Sequence, residues 1–457
     1  MAVEPASIDR VPPHNIDAEE SVLGSMIYSH RAVAEVQEII SADDFYKESH
    51  SKIFETLLEL YARGATTDPV VLCEELRRKG ILEAVGDRAY IFSLVGSAPN
   101  PANARHYAEI VRQMAIRRRL IDIGYEIASI GYSAGEDAAD AYDRSEMLLF
   151  DLGKRMRREG LTPIKKPLME TFHAISEAME KGTGLTGLPT GFAVLDRVTS
   201  GLQPSNLIVV GGRTAMGKTS FALSIAHHVS VGRGADATGV LIFSLEMSAR
   251  ELSERFLCME ARIDANRLRS GNVKDKWGKI VEAAAVLNDA PISIMDAGDI
   301  SLMEMRTIAR QQKAKADIGL IIVDYIQLMY AGRAEARRFE NRAQEVSKIA
   351  RDLKAMAMEL EIPVIAVSQL RRPGAQVVRK EPTLEDLKES SGVEQNADVV
   401  LLLYRPFVDE KSEENKGLAY VNLAKHRNGE TGKFKLAWVG EYTKFEDLET
   451  EEGLIPA

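Results

Sequence analysis

The chain has 457 residues, of which 45% are hydrophobic and 28% are charged, and its formal net charge is −10. This length predicts two or three domains, and the acidity excludes a protein that binds nucleic acid with its whole surface. The two cysteines, Cys73 and Cys258, form no C-x-x-C motif, and the sequence shows neither a membrane-length apolar run nor a signal peptide. Together these features predict a cytoplasmic protein without a membrane partner.

Residues 1–153 are rich in helix formers and predict an all-helical N-terminal domain. Its helices are expected at four apolar-periodic segments: Asp17 to Ile27 with Asp17-Ala-Glu-Glu20 as cap, Thr67 to Gly80, Tyr107 to Tyr125, and Asp137 to Met156. The last two are expected to form a hairpin around a turn at 131–135. The side chains expected to be buried on the last helix are Met147, Leu148, Leu149, Phe150 and Leu152. The basic run 117–119 is predicted to be a solvated face.

Residues 154–184 predict a linker that carries one short amphipathic helix, Lys165 to Lys181. Its apolar side chains at helical spacing are Leu168, Phe172, Ile175 and Met179. Pro-rich and Gly-rich segments flank this helix, so it has little of its own domain to pack on. Either the helix packs on its own subunit, or it docks on a neighbouring subunit of an oligomer.

Residues 185–457 alternate strand-like with helix-like segments, which predicts an α/β domain with a parallel sheet covered by helices. The strands are expected at Asn206–Val210, Val240–Ser244, Ile292–Met295, Ile318–Val323, Val364–Val367 and Val399–Tyr404. Ligands of such sheets bind at the carboxyl ends of the strands. Several of these segments end in polar residues suited to a nucleotide site.

A P-loop follows the first of these strands. The sequence from Gly212 to Thr219 matches G-x-x-x-x-G-K-[ST] between a strand and a helix. Lys218 is expected to reach the β- and γ-phosphates, and Thr219 is expected to bind Mg²⁺. The alternative is a Gly-rich turn with a surface lysine. The predicted nucleotide-binding residues are Gly212, Arg213, Thr214, Ala215, Met216, Gly217, Lys218 and Thr219.

Three further strand ends carry candidate catalytic side chains. Asp324 ends a buried strand, a pattern that holds Mg²⁺ opposite a P-loop. Glu246 lies one step past another strand, where it is either a base for the attacking water or a charge in the first turn of a helix. Gln369 ends a third strand, where its amide could sense the γ-phosphate or be inert.

Near the C-terminus, two strand-like segments flank Asn428-Gly429, a strong hairpin-turn signal. This turn is expected to place Lys425 and Arg427 near an exposed tip. The tip either carries charge for solubility or supplies an arginine finger to another subunit.

Two segments are candidates for nucleic-acid contact. Residues 370–380, with Arg371 and Arg372, are basic and loop-like, as binding to phosphates requires. Residues 386–398 have backbone donors and small residues but few aromatic rings, so base stacking is not evident.

Taken together, these features resemble the DnaB-type replicative DNA helicases over nearly the whole chain. The matching segments are Val11 to Gly24, Leu185-Thr-Gly-Leu-Pro-Thr-Gly-Phe192, Phe243-Ser-Leu-Glu-Met-Ser248, Val367-Ser-Gln-Leu370 and Lys425-His-Arg-Asn-Gly429. The resemblance implies a RecA-like motor that uses ATP and Mg²⁺, a helical N-terminal domain and a linker helix that docks on the next subunit. It also implies a homohexameric ring around single-stranded DNA, and it makes a primase and a helicase loader expected partners.

The resemblance also implies roles for individual residues. It makes Lys218 and Thr219 the phosphate and metal residues. The other residues it implicates are Glu246 as catalytic base, Asp324 at the Mg²⁺ site, Gln369 as γ-phosphate sensor, Lys425 and Arg427 as residues inserted from a neighbour, and Lys388, Glu389 and Ser391 in a DNA-contacting pore loop.

The sequence departs from the family pattern at three places. Thr214-Ala215 replaces the usual Pro-Ser of the P-loop, and Arg371-Arg372-Pro373 replaces the usual Ser-Arg. In the pore loop, the glycine stands one place later, at Gly392.

Two other classes of ATPase compete with a replicative helicase as interpretations of this sequence. One is a RecA-like recombination or repair ATPase, against which the helical N-terminal domain argues. The other is a signalling ATPase that binds no DNA. The helicase half of a primase-helicase is disfavoured, because no zinc-binding cysteine cluster precedes the motor.

Overall fold

The structure is a computed structural model that describes residues 11–97, 101–133, 137–156, 164–181, 185–231, 237–298, 300–329, 341–370 and 381–448. The chain divides into two compact units, Met1–Thr162 and Pro163–Ala457. The predicted linker, 154–184, includes residues 157–163 and 182–184, which lie outside the described residues. Among the described helices, none is both long and apolar enough to cross a membrane.

The first unit is all-helical where it is described, as the sequence predicts. Its α-helices are α1 (Ile16–Tyr28), α2 (His30–Gln37), α3 (Glu48–Ala62), α4 (Pro69–Arg78), α5 (Asp87–Gly96), α6 (Ala104–Tyr132) and α7 (Ala138–Met156). All four predicted helices are present. The long helix α6 extends past the predicted start of the turn at 131–135, and residues 134–136 lie outside the described residues.

Helix caps in this unit follow the local sequence, with one correction. The N-cap of α1 is Asn15, whose side chain accepts from the backbone N–H of Ala18, so the predicted cap beginning at Asp17 is wrong. Asp17 lies in the first helical turn instead. At α4 the prediction is confirmed, because Asp68 is the N-cap and Pro69 occupies the first turn.

The core of this unit contains a buried polar network on α1, α3 and α5. Glu19 accepts from the backbone N–H of Tyr46 at 2.7 Å and lies 2.7 Å from Nδ1 of His50. Nε2 of His50 lies 2.6 Å from the hydroxyl of Tyr90, which donates to Glu20 at 3.1 Å. Burial and the neighbouring glutamates raise the pKa of Tyr90. The hydroxyl therefore stays protonated and available as a donor.

The basic run at 117–119 is not simply a solvated face. Arg118 donates to the backbone carbonyls of Pro13 and Asp44, and it lies over the ring of Tyr46. Arg119 forms an ion pair with Asp44 at 2.8 Å. Two of the three arginines therefore connect α6 to Asp44, and Arg118 also connects it to Pro13, a role that only the tertiary structure reveals.

The predicted burial along α7 is only partly correct. Leu152 is buried, but Met147 and Leu149 are exposed, at 36% and 50%. The side chain of Phe150 lies outside the described residues. Among the described residues α7 packs mainly on α6, and that packing does not bury Met147 or Leu149.

The second unit contains ten further α-helices among its described residues. They are α8 (Lys165–Lys181), α9 (Ala193–Thr199), α10 (Lys218–Ser230), α11 (Ala249–Ala261), α12 (Ala265–Arg269), α13 (Trp277–Asp289), α14 (Leu302–Lys315), α15 (Arg342–Leu360), α16 (Ser391–Asn396) and α17 (Pro406–Asp409). Helix α8 has the bounds that the sequence predicts. A 3₁₀ helix, Leu384–Ser390, leads directly into α16.

These helices surround one nine-stranded sheet with the order β3-β2-β4-β5-β1-β6-β7-β8-β9. The strands are β1 (Leu207–Gly212), β2 (Gly239–Ser244), β3 (Ile292–Met295), β4 (Ile318–Asp324), β5 (Val364–Gln369), β6 (Val399–Tyr404), β7 (Leu418–His426), β8 (Gly432–Val439) and β9 (Lys444–Glu446). The first six are parallel and match the predicted strands. The last three are antiparallel, and β7 and β8 form the predicted hairpin.

The parallel strands other than β3 are buried on both faces, which explains their continuous apolar sequences, whereas β3 lies at the edge of the sheet and is only half-buried. Along β1, Ile208 and Val210 pack into one core cluster, whereas Leu207 and Val209 pack into the cluster on the opposite face. The sheet is therefore a rigid platform, and its strand ends hold their side chains in fixed positions.

Candidate nucleotide site

The P-loop connects β1 to α10 at the carboxyl edge of the parallel strands. Gly217 is the N-cap of α10 and has φ +89°, and Ala215 is also left-handed, at φ +67°. A Cβ on Gly212 would lie 3.1 Å from Cγ of Lys218, so glycine leaves room for the lysine stem. Nζ of Lys218 donates to the carbonyl of Arg213 at 3.1 Å. The loop thus has the backbone form that surrounds a phosphate.

Asp324 ends β4, two strands from the P-loop, and is only 4% exposed. Both carboxylate oxygens are buried, and among the described residues neither accepts a well-formed hydrogen bond. Burial raises the pKa of Asp324, whereas Thr219 and Lys218 act in the opposite direction. A buried carboxylate without a partner beside a threonine hydroxyl fits a hard cation such as Mg²⁺, which prefers oxygen ligands.

Lys218 contributes a positive charge at this edge. Burial lowers the pKa of its ammonium group, and the nearby carboxylates of Asp324 and Glu246 raise it again. Lys218, Asp324 and Glu246 therefore lie close enough for their charges to influence one another. The structure therefore brings together the predicted phosphate, metal and base residues.

Glu246 lies in an exposed bend after β2, before the start of α11. The N-terminal helix charge of α11 is provided by Glu251, which forms a capping box with Ser248. Because Glu251 has this role, the helix-charge interpretation of Glu246 is not supported by the structure. Its carboxylate remains open to a molecule at the P-loop edge.

Gln369 ends β5 and donates from its side-chain amide to the hydroxyl of Thr214 at 2.9 Å. Its backbone N–H donates to Oε1 of Gln327 at 3.1 Å, and the Gln327 amide donates to Ser368 and to the carbonyl of Gln369. Gln369 is therefore connected directly to the P-loop. Gln327 is a supporting residue that the sequence analysis missed, although it follows Asp324 at the same strand end.

Arg405 is a second residue that the sequence analysis missed. It follows β6 at the same edge, and its guanidinium donates to the carbonyl of Ala215 at 3.2 Å. The guanidinium carbon lies 4.2 Å from the ring centroid of Trp438, a cation–π contact. Burial lowers the pKa of Arg405 to about 10. Its position after a strand is the signal that could have identified it.

Arg255, on α11, also faces this edge. It donates to the hydroxyl of Ser220 at 3.5 Å, and burial lowers its pKa while the charges of Asp324 and Glu246 raise it. Nothing in the local helical pattern distinguishes Arg255 from a surface arginine. Only the packing of α11 beside the sheet reveals its proximity to the acidic side chains.

The cations of the hairpin lie near the amino end of β6, whereas the P-loop lies at the carboxyl ends of the parallel strands. β6 runs parallel to β1, and Gly212 is level with Leu403, whereas Arg427 bonds to Asp398 just before β6 begins. Five strand residues span about 16 Å, so Arg427 lies too far away to reach the P-loop of its own chain. Arg427 is 61% exposed, but Lys425 is half-buried and bonded to backbone carbonyls, so an exposed position for both is wrong.

The structure places the predicted DNA residues only in part. Lys388 and Glu389 lie in the 3₁₀ helix Leu384–Ser390, and Ser391 begins α16, but their side chains are outside the described residues. Arg371 and Arg372 fall within 371–380, which is likewise outside the described residues.

Two family models match this chain. The DnaB-like helicase N terminal domain matches residues 11–113, and the DnaB-like helicase C terminal domain matches residues 187–447. The second match covers more than half of the chain and contains the whole P-loop edge.

Curated relatives and solved structures agree with these matches. The chain is 40% identical to the replicative DNA helicase DnaC of Bacillus subtilis, covering 96% of both chains, and 40% identical to DnaB of Geobacillus stearothermophilus, covering 98% of both. It is similar to a DnaB-like replicative helicase whose structure was studied with its interactions with primase, with TM-score 0.72, 29% identity and coverage of 95% and 100%. It is also similar to a separately solved ATPase domain, with TM-score 0.56, 35% identity and coverage of 62% and 99%.

The recombination and signalling alternatives are not favoured by these matches. The chain belongs to the DnaB-like replicative DNA helicases, a family of ATP-hydrolysing enzymes.

Proposed function

We propose that this helicase hydrolyses Mg²⁺-bound ATP at the P-loop edge and uses the energy to move along single-stranded DNA as a homohexamer. The observation that supports the catalytic part is the buried carboxylate of Asp324. Among the described residues, neither of its oxygens accepts a well-formed hydrogen bond. Leaving such a group unpaired costs free energy, which a bound cation would offset.

Each residue at this edge has a proposed task. Lys218 binds the β- and γ-phosphates, while Thr219 and Asp324 hold Mg²⁺, which would neutralise charge developing on the phosphates. Glu246 orients the attacking water and accepts its proton. Gln369, already bonded to Thr214, reports whether the γ-phosphate is present.

The test of this assignment is Glu246→Gln in the full chain. The amide keeps the size of the side chain but cannot accept a proton, so nucleotide binding is expected to persist while steady-state hydrolysis stops. Hydrolysis at the wild-type rate would remove Glu246 from the catalytic step. Glu251→Gln, at the cap of the next helix, is the matched control and should keep its activity.

The oligomeric part of the proposal depends on the position of Arg427. Because the P-loop and Arg427 lie at opposite edges of one sheet, an arginine finger on this hairpin can serve only a neighbouring subunit. The exposed apolar face of α8 also supports assembly: Leu168, Phe172 and Met179 are 61%, 66% and 77% exposed. We propose that α8 docks on the next subunit.

Mixed rings test the trans assignment. Lys218→Ala and Arg427→Ala are each expected to be nearly inactive alone. In mixed hexamers some interfaces combine an intact Lys218 with an intact Arg427, so part of the ATPase activity should return. No recovery in hexamers shown to contain both chains would contradict an arginine finger in trans.

For DNA, we propose that Lys388, Glu389 and Ser391 contact the strand backbone and that Arg371 and Arg372 also bind DNA. Affinity should then fall steeply with salt and depend little on sequence. Lys388→Ala should reduce the slope of log affinity against log salt by about one. An unchanged slope would remove Lys388 from the DNA surface.

We also propose a primase and a helicase loader as protein partners. The support for a primase is the similar DnaB-like helicase that was studied with primase. Co-sedimentation of the full chain with the primase of its own organism tests this partner.

A further inference from the structure

Asp398 connects the hairpin to the sheet through both its backbone and its side chain. Its carbonyl accepts from the backbone N–H of Arg427 at 2.9 Å, and its Oδ1 accepts from the guanidinium of Arg427 at 3.2 Å. The finger residue is therefore already paired with an acid of its own chain. This acid lies beside the start of β6, away from the chain's own P-loop.

The other half of the Asp398 carboxylate is fixed by buried partners. Oδ2 accepts from Nζ of Lys354 at 2.6 Å and from the backbone N–H of Leu207 at 2.9 Å. The side chain of Lys354 is 18% exposed and that of Arg427 is 61% exposed. Because most of the Arg427 side chain stays in water while Lys354 is buried with Asp398, Arg427 is the more weakly held partner and can leave without disturbing the buried pair.

Lys425 holds the strand that carries Arg427. Its ammonium donates to the carbonyls of Glu394 at 2.7 Å and Ala397 at 2.8 Å, at the end of α16. Burial lowers the pKa of Lys425, as does the nearby charge of Arg427. Lys425 is thus an anchor within its own subunit, and Arg427 is the exposed cation of the hairpin.

We propose that Asp398 is a positioning residue that holds Arg427 in reserve until a neighbouring subunit binds ATP, when the γ-phosphate takes the guanidinium from this carboxylate. This inference rests on the proposed arginine finger in trans. A terminal phosphate carries more charge than a carboxylate and binds a guanidinium through two parallel bonds, so it can compete for Arg427. ATP binding in one subunit is thereby linked to the hairpin of the next.

Mixed full-length rings test the inference, because Asp398→Asn can be placed on either chain. The finger donor carries Lys218→Ala, and the nucleotide-binding chain carries Arg427→Ala. With Asp398→Asn on the donor, the Arg427 that serves the active interface is released from its acid. The restored ATPase activity at subsaturating ATP should rise by about two- to five-fold, the range for loss of an exposed ion pair. With Asp398→Asn on the other chain, it should not rise.

A second variant should change the restored ATPase activity in the opposite direction. Lys354→Met removes the competing cation from Asp398, so the carboxylate holds Arg427 more tightly and the restored activity should fall when the change is on the donor. If Asp398→Asn prevents ring formation, this variant decides the question alone. The matched control is Lys433→Met. Lys433 lies on β8, and the change breaks its ion pair with Glu381, so the activity should be the same whichever chain carries it.

The outcomes separate the inference from the function on which it rests. If mixed rings recover no activity before Asp398 is changed, the trans finger itself fails. If they recover but Asp398→Asn has the same effect on both chains, or lowers activity from the donor chain, Asp398 does not hold Arg427 in reserve. Subunit content is checked by native mass spectrometry.

Discussion

Glu19 in the helical unit and Asp324 in the α/β unit are both almost fully buried, with 1% and 4% exposure, but their surroundings differ. Glu19 accepts hydrogen bonds from the backbone of Tyr46 and lies against His50. The side-chain oxygens of Asp324 accept no well-formed hydrogen bond among the described residues. A satisfied buried acid adds to the stability of its fold, whereas an unsatisfied one lowers stability until a ligand completes it, so variants at the two positions should behave differently.

Removing the charge opposite Asp324 should give the largest effect. Lys218→Ala is expected to slow ATP hydrolysis by about 100-fold or more, because its charge on the phosphates is lost. The melting temperature should change little, because the bond that Lys218 makes among the described residues is to a loop carbonyl rather than to a core group. Steady-state ATPase and calorimetry measure the two effects. Activity near the wild-type rate would show that the P-loop lysine is not needed.

Breaking the hydrogen-bond network of Glu19 should lower stability and leave activity unchanged, the reverse of the effect of Lys218→Ala. Glu19→Ala leaves His50 and the N–H of Tyr46 without their acceptor in a buried place. The helical unit should lose about 2–4 kcal/mol of unfolding free energy, since one to two buried donors lose their partner. Calorimetry measures the loss. At temperatures where both units remain folded, the ATPase rate per chain should be kept, and its loss there would mean that Glu19 acts on catalysis.

Asp324→Asn should sharpen the contrast by raising stability while lowering activity. The neutral amide avoids the desolvation of a buried carboxylate, so the α/β unit should gain on the order of 1 kcal/mol without nucleotide. With Mg²⁺ and ATP present, the wild-type chain should be stabilised more than the variant. Melting curves with and without nucleotide measure both changes. A variant less stable than wild type without nucleotide would contradict the interpretation of Asp324 as an unpaired acid.

The gain in stability expected for Asp324→Asn should depend on pH, because the pKa of Asp324 is raised in the folded chain. A carboxyl whose pKa is higher in the folded chain than in the unfolded chain binds more protons when folded. It therefore lowers stability while it is ionised in the folded chain, and this penalty disappears as the pH falls through the folded pKa. The difference in melting temperature between Asp324→Asn and wild type should shrink in acid and reach its full size near neutral pH. A difference independent of pH would exclude ionisation as its cause.

The smallest expected effect concerns the P-loop backbone. Ala215 has φ +67°, a conformation that glycine adopts with less strain. Ala215→Gly should therefore change stability by less than about 1 kcal/mol, because relief of strain is offset by greater freedom of the unfolded chain. Chemical denaturation measures this change. A loss of several kcal/mol would mean that the methyl group packs against a partner that the loop requires.

The sequence by itself predicts the order of elements and much of the site. The six parallel strands, the hairpin and the P-loop are all found where their patterns indicate. These features depend on local chemistry: apolar runs for buried strands, Asn428-Gly429 for a turn, and glycines around a phosphate. Asp324, Glu246 and Gln369 could be predicted because parallel strands place their carboxyl ends at one edge.

Only the tertiary structure decides which distant side chains meet. Arg255 and Arg405 face the P-loop edge because of how a helix and a neighbouring strand pack. Arg118 bonds to carbonyls far away in the sequence, and Asp398 gathers Lys354 and Arg427 from separate elements. No local pattern encodes such pairs, because a charged residue looks the same in sequence whether water or a buried partner faces it.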